Sequence, residues 1–258
     1  MKLQVVPAGT GVTWVRQGIR TFWRQPLALS GLFFLFTGLM MITSFLSFLG
    51  TVLGLMLIPS ITLGLMAAAR EVEMGRFPMP RIMFVAFRQG AAQSKVMVAM
   101  GGLYALLFGL LLAVSSVFDS GDFARMYLMG GTLSEDVLLN DHFQTAAVFC
   151  MLMYVPLSAL FWHAPALVHW HHQPLAKSIF FSAMACATNW RAFAVFGLTW
   201  MGIFLITSLA LGLISILTED GQLSMVLLLP AMMLLAAMFF TSSYHSFREC
   251  FANETLLA

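Results

Sequence analysis

The residues with the widest chemical latitude stand at the end of one apolar run: His163, then His169-Trp170-His171-His172. His169 and His172 are three apart, a helical spacing that could turn two imidazoles to one side for a metal or haem iron. A zinc site ordinarily adds a thiolate or carboxylate at ligand spacing, and none stands nearby in the sequence. A His–Trp cluster at the edge of an apolar run also reads as an amphipathic anchor at a membrane boundary, and this is the preferred reading. No cofactor is assigned, and His169 and His172 are carried forward as the metal candidates. His163 lies inside the apolar run, as a proton relay or, preferably, a hydrogen-bonded packing histidine. Cys150, Cys186 and Cys250 form no CxxC or metal spacing and read as structural thiols. Asp119-Ser120-Gly121-Asp122 opens like a calcium loop, but the later ligand positions do not follow. Nucleophile-elbow, HExxH, Walker and dinucleotide motifs are missing, so no enzyme is expected.

Composition says what must position these groups. Of 258 residues, 60% are hydrophobic and 9% are charged, against roughly 25% charged in soluble domains. A soluble surface cannot be drawn from so few charges while 24 Phe, 20 Met and 6 Trp are hidden. A disordered chain and a nucleic-acid binder are excluded by the same arithmetic. Crossing a bilayer takes about 20 mostly apolar residues. Six segments meet this, at roughly 27–48, 52–69, 96–118, 146–168, 192–217 and 223–245, and none contains Asp, Glu, Lys or Arg. The expected fold is therefore an all-α polytopic bundle of six spans in three hairpins, forming one membrane domain over 1–258. The first two spans join at a soft point, Ser47 to Thr51, and the second is the shortest. Residues 1–26 hold no apolar leader core, so the first span is expected to stay in the membrane.

The charges then orient the bundle. Twelve of the 13 Lys and Arg, among them Lys2, Arg70, Lys95, Lys177 and Arg248, fall on the side of the N-terminus, and only Arg125 falls opposite. The positive-inside rule puts both termini in the cytoplasm of a bacterial inner membrane. Asp119, Asp122, Glu135, Asp136, Asp141, Glu219 and Asp220 lean to the outer side. A cytoplasmic segment introduces each hairpin, at 8–25, 78–95 and 174–191. In the first, Trp14, Val15, Gly18, Ile19 and Phe22 share one helical side, while Arg16, Arg20 and Arg24 follow at four-residue spacing. This pattern predicts a helix in the headgroup layer with its cations toward anionic lipid phosphates; the alternative is a helix packed on the bundle. On the outer side, Phe123 to Met129 makes an amphipathic stretch that could rest on the leaflet or touch a partner.

An offset of 97 residues lays Pro59 on Pro156, Leu63 on Leu160, Ala67 on Ala164, Ile82 on Ile179 and Phe84 on Phe181. The repeated unit, roughly 52–118 and 149–215, covers two spans and so keeps its orientation, which makes it a parallel repeat. Pro59, Pro156 and Pro230 each remove a backbone hydrogen bond and are the expected helix kinks. They could line a cavity or be inherited packing, the latter preferred. Pro165 adds a second break and makes the fourth span the irregular one. Gly50-Gly54 and, less strictly, Gly197-Met201 with Gly202 are spaced for close helix approach.

The opening Met1-Lys2-Leu3-Gln4-Val5-Val6-Pro7-Ala8, with Gly11-Val12-Thr13-Trp14 and Trp23-Arg24-Gln25-Pro26, resembles a family of uncharacterised bacterial six-span inner-membrane proteins over the whole chain. More distantly, the pattern of surface helix then hairpin resembles the membrane domain of some glycerophosphodiester phosphodiesterases, without their hydrolase domain. The resemblance implies topology and no activity. The expected role is a non-enzymatic protein binding anionic lipids or a membrane-protein partner through its surface helices. The alternative is a transporter or flippase of a lipid-like solute, which requires a polar-lined cavity near the three prolines.

Overall fold

The computed structural model describes residues 3–130, 134–218 and 221–251. Lys2, Glu219 and Asp220, which entered the charge distribution, lie outside them. Among the described residues every regular element is a helix: α1 (Thr10–Arg24), α2 (Pro26–Ser44), α3 (Ser47–Glu73), a 3-10 stretch (Pro80–Phe87), α4 (Ala91–Asp119), α5 (Asp122–Met129), α6 (Glu135–Leu138), α7 (Asp141–Phe161), α8 (Ala164–His171), α9 (Leu175–Thr188), α10 (Trp190–Thr218) and α11 (Gly221–Cys250). Six stretches are long and apolar enough to cross a membrane: α2, α3, α4, α7 with α8, α10, and Val226–Cys250 of α11. The fold is an all-α polytopic bundle.

One boundary differs from the sequence reading, for a local reason. The first hairpin turns at Phe45 and Leu46, and Ser47 opens α3 with a left-handed φ of 52°. Gly50 permits this early start, because a Cβ there would stand 1.6 Å from the Thr43 carbonyl oxygen. The shortest span is therefore α2, not α3. In the fourth span, Pro59's counterpart Pro156 stays inside continuous helix, as do Pro59 in α3 and Pro230 in α11. The break comes at Trp162 and His163, just before Pro165. Proline offers no N–H to the carbonyl four residues back, so the ladder opens there. The Ser182 hydroxyl fills the gap, accepting from the His163 N–H at 2.9 Å and donating to the Ala159 carbonyl at 2.8 Å.

The chain divides into two compact units. The first comprises Met1–Leu35, Thr62–Val85 and Met184–Ala258. In it, α1 turns its apolar face onto α10 and α11. Gly11 lies so close to α10 that a Cβ would meet the Ala192 oxygen at 2.2 Å, and Gly18 lies against Ser242 of α11 at 2.3 Å. Trp14 is buried between them, its ring 5.1 Å from Phe193 and 6.1 Å from Phe196. For residues 8–25 protein covers the apolar face, which is the packing on the bundle that the alternative reading described. The extended chain before α1 is also pinned. Asn189, in the single-residue break between α9 and α10, accepts from Val6 N–H at 2.8 Å and donates to the Gln4 carbonyl at 3.0 Å. Of the residues that carry the family resemblance, Gln4, Val6, Gly11 and Trp14 thus serve packing.

The second unit comprises Phe36–Ile61 and Ala86–Ala183. Here α4 packs along α7, and Gly101 brings α4 onto α3, where a Cβ would stand 2.1 Å from the Met56 oxygen. Gly54 meets Thr43 Oγ1 at 3.1 Å, so the Gly50-Gly54 pair does mark a close approach. Gly197 and Gly202 face open space. After α4 the chain reverses within two residues, Ser120 and Gly121, both at positive φ. The Asp119 carboxylate holds the turn by accepting from Gly121 N–H at 2.9 Å and Phe123 N–H at 2.6 Å. A would-be cation ligand is thereby committed to backbone. α5 consequently folds back along α4, and its last carbonyls are met by Thr51, whose hydroxyl donates to Leu128 O at 3.0 Å.

Candidate functional site

Of the three arginines on α1, two keep their charge outward and one is taken. Arg16 and Arg20 are exposed on the side opposite Trp14, Gly18 and Phe22. Arg24 instead pairs with Glu73, at the end of α3, at 3.1 Å. Glu73 is the centre of a polar junction in the first unit. Its carboxylate accepts from Arg24 and from the Thr21 hydroxyl, and Arg248 of α11 approaches it at 4.0 Å. Thr21 also touches His245 Nε2 at 3.0 Å. A carboxylate can only accept, so the hydroxyl proton points to Glu73 and His245 Nε2 donates to the hydroxyl. Beside it, Glu249 accepts from Trp14 Nε1 at 3.0 Å, and Arg248 donates to Gln17 at 3.2 Å.

Thr21 and His245 are sealed from solvent, at 0% and 1% exposure. No substrate reaches that hydroxyl, so a nucleophile beside an imidazole is here a structural clamp. It fixes α1 to the ends of α3 and α11 and, with the two close glycines, holds the cationic face in place. Sequence reading assigned Arg24 to lipid and passed over Thr21, Glu73, His245 and Glu249. The available signal was that Glu71, Glu73, Glu249 and Glu254 are the acids on a side holding twelve cations. Acids placed there have cations to neutralise.

The histidines do not converge. In the second unit, His169 Nε2 lies 3.4 Å from Gln89 Nε2, and His172 Nδ1 lies 2.7 Å from Gln93 Nε2. Gln93 donates as well to the Val168 carbonyl at 3.2 Å, so α8 is stitched to the start of α4. Among the described residues no three His, Cys, Asp or Glu side chains gather as a metal would require. His163 is fully buried at the helix break. In α9, burial pushes the Cys186 thiol up to about 12, which leaves it protonated and unreactive.

The second unit also contains a cleft of about 310 Å³ between α4, α5 and α7, with Ile58 of α3 at its edge. Tyr104, Phe108, Tyr127 and Tyr154 form its aromatic wall, with Leu112 and Met151 beside them. Phe108 is the hub: its ring lies 5.0 Å from Tyr127, 6.2 Å from Tyr104 and 6.2 Å from Tyr154. The Tyr104 and Tyr154 hydroxyls are 3.5 Å apart. Burial, and then the neighbouring Tyr154, push the Tyr127 phenol above its ordinary range, so it stays neutral. Among the described residues no Asp, Glu, Lys, Arg or His lines the cleft. The chain has only 4 tyrosines, and three of them meet here, a concentration that their separation in sequence conceals. Ile58 and Tyr154 place the cleft next to Pro59 and Pro156. The lining is apolar apart from the phenol hydroxyls and the Cys150 thiol, whereas the transport alternative required a polar one.

No family model matches the chain, and no solved structure matches it. A probable inner membrane protein of Burkholderia thailandensis is 35% identical over 257 residues, covering 98% of this chain and 95% of the relative. Six helices suited to crossing a membrane, in a chain so similar from end to end to an inner-membrane protein, give it a multi-pass location in the inner membrane. The chain belongs to the same family as this Burkholderia protein.

Proposed function

We propose that the protein is a non-enzymatic membrane component that binds anionic lipid headgroups through α1, with both termini on the cytoplasmic side. The observation that carries this reading is the division of labour among three arginines at four-residue spacing. Arg24 is neutralised by Glu73, while Arg16 and Arg20 are exposed and make no ion pair among the described residues. An arginine near the cytoplasmic surface of an anionic leaflet gains about 1 kcal/mol. Because α10 and α11 cover its apolar face, α1 offers lipid its cations and not a wedge. The twelve-to-one distribution of Lys and Arg supports the orientation. The distant likeness to a phosphodiesterase membrane domain fits a lipid-facing role and supplies no catalytic residue.

The test is retention of phosphatidylglycerol on the full-length protein, read by native mass spectrometry from mixed phosphatidylglycerol–phosphatidylcholine nanodiscs. Arg16→Glu with Arg20→Glu should lower retained phosphatidylglycerol on the order of tenfold. Unchanged retention would sink the headgroup reading. A co-extracted protein lost with the same two substitutions would move the reading to partner binding.

A further inference from the structure

We propose that the cleft between α4, α5 and α7 is a binding site for a neutral membrane lipid, whose hydrocarbon lies against Phe108, Leu112 and Met151 and whose oxygen accepts a hydrogen bond from Tyr104. The walls select this class. The lining carries no charged side chain, so a phosphate or carboxylate would find no counter-ion there. At about 310 Å³ the cleft stands at the lower end of small-ligand sites. Its walls belong to two membrane-spanning helices and a short helix folded back on them, a setting that suits a ligand with a hydrocarbon body.

The polar demand comes from Tyr104. This side chain is 3% exposed, and its hydroxyl has one partner among the described residues, Tyr154 at 3.5 Å, the long limit of a hydrogen bond. A buried hydroxyl so weakly held is costly unless an acceptor completes it. A carbonyl or ether oxygen on an otherwise apolar body would do so. Phe108, held by three tyrosine rings, gives the hydrocarbon a flat, rigid surface. This site uses other residues than the headgroup reading and a ligand of different charge, so each stands or falls alone.

The experiment uses the full chain in nanodiscs with two photoactivatable probes, a diazirine diacylglycerol and the matching diazirine phosphatidylglycerol, followed by peptide mapping. The diacylglycerol probe should label peptides containing Tyr104, Tyr127 and Tyr154 above the exposed α10 face at Leu205 and Leu209. Ala147→Trp, which fills the cleft from one wall, should cut that labelling about tenfold. Tyr104→Phe should cut it about threefold, the worth of one hydrogen bond inside a membrane protein. If Ala147→Trp does not fold, Met151→Trp at the exposed rim closes the same mouth and carries the same expectation. Labelling no greater than on α10, equal labelling by the phosphatidylglycerol probe, or no change in a folded cleft-filling variant would each overturn the proposal.

Discussion

The polar junction at Glu73 and the aromatic cleft at Phe108 solve opposite problems in one chain. At the junction, Glu73 accepts from Arg24 and Thr21, and His245 meets the Thr21 hydroxyl through Nε2, while its Nδ1 has no hydrogen-bond partner among the described residues. Two glycines let backbone approach backbone. At the cleft, large rings meet stacked, tilted and edge to face around a space they do not fill, and a buried phenol is left with a 3.5 Å contact. Closure at the first site fixes a helix that presents cations. Incomplete closure at the second leaves room for something else.

Substitutions should separate the two sites by size of effect. Gly11→Leu should be the most damaging, because its Cβ would meet main-chain atoms of Ala192 and Phe196 that have nowhere to go. A loss of about 3 kcal/mol is expected, read as a lowered midpoint of thermal unfolding in detergent. Glu73→Ala should follow at about 2 kcal/mol, between an exposed pair and a fully buried one, since its side chain is 24% exposed. The check is the thermal midpoint together with hydrogen exchange in α1, which should rise. A stable Glu73→Ala variant with α1 still protected would break the contrast.

Ser182→Ala should cost about 1–2 kcal/mol by removing the hydroxyl that accepts from the His163 N–H and donates to the Ala159 carbonyl, with faster amide exchange confined to the α7–α8 break. Tyr154→Phe should be the mildest, changing stability by less than about 0.5 kcal/mol, because the bond it removes is long and the residue half-exposed. A large destabilisation by Tyr154→Phe would show that the cleft is a packing core like the junction.

The proline-bearing spans show how far sequence reading could go. At the 97-residue offset, Pro165 falls on Ala68, Ser182 on Val85 and His163 on Met66. At these aligned positions α3 therefore has neither the ring that opens the ladder nor the hydroxyl that fills it, and it runs unbroken from Ser47 to Glu73. Pro165 announced an irregular fourth span. That Ser182 would patch it required α9 to lie alongside, which no local pattern states. The segment at 78–95 differs from the one 97 residues on: Pro78 and Pro80 remove two of three neighbouring donors, and a 3-10 stretch stands at the positions that align with α9.

Length, hydropathy and the scarcity of charge were enough to determine a six-span helical bundle, because the bilayer demands about 20 apolar residues per crossing whatever their order. Periodicity along α1 was enough to divide it into an apolar and a cationic face, since a helix repeats every 3.6 residues. Tertiary structure alone decided what met each face. Thr21, Glu73 and His245 are joined only because three helices end together, and Tyr104, Tyr127 and Tyr154 because α5 folds back along α4. Such contacts depend on how whole helices are placed, and a linear pattern carries no information about the distance between its own distant turns.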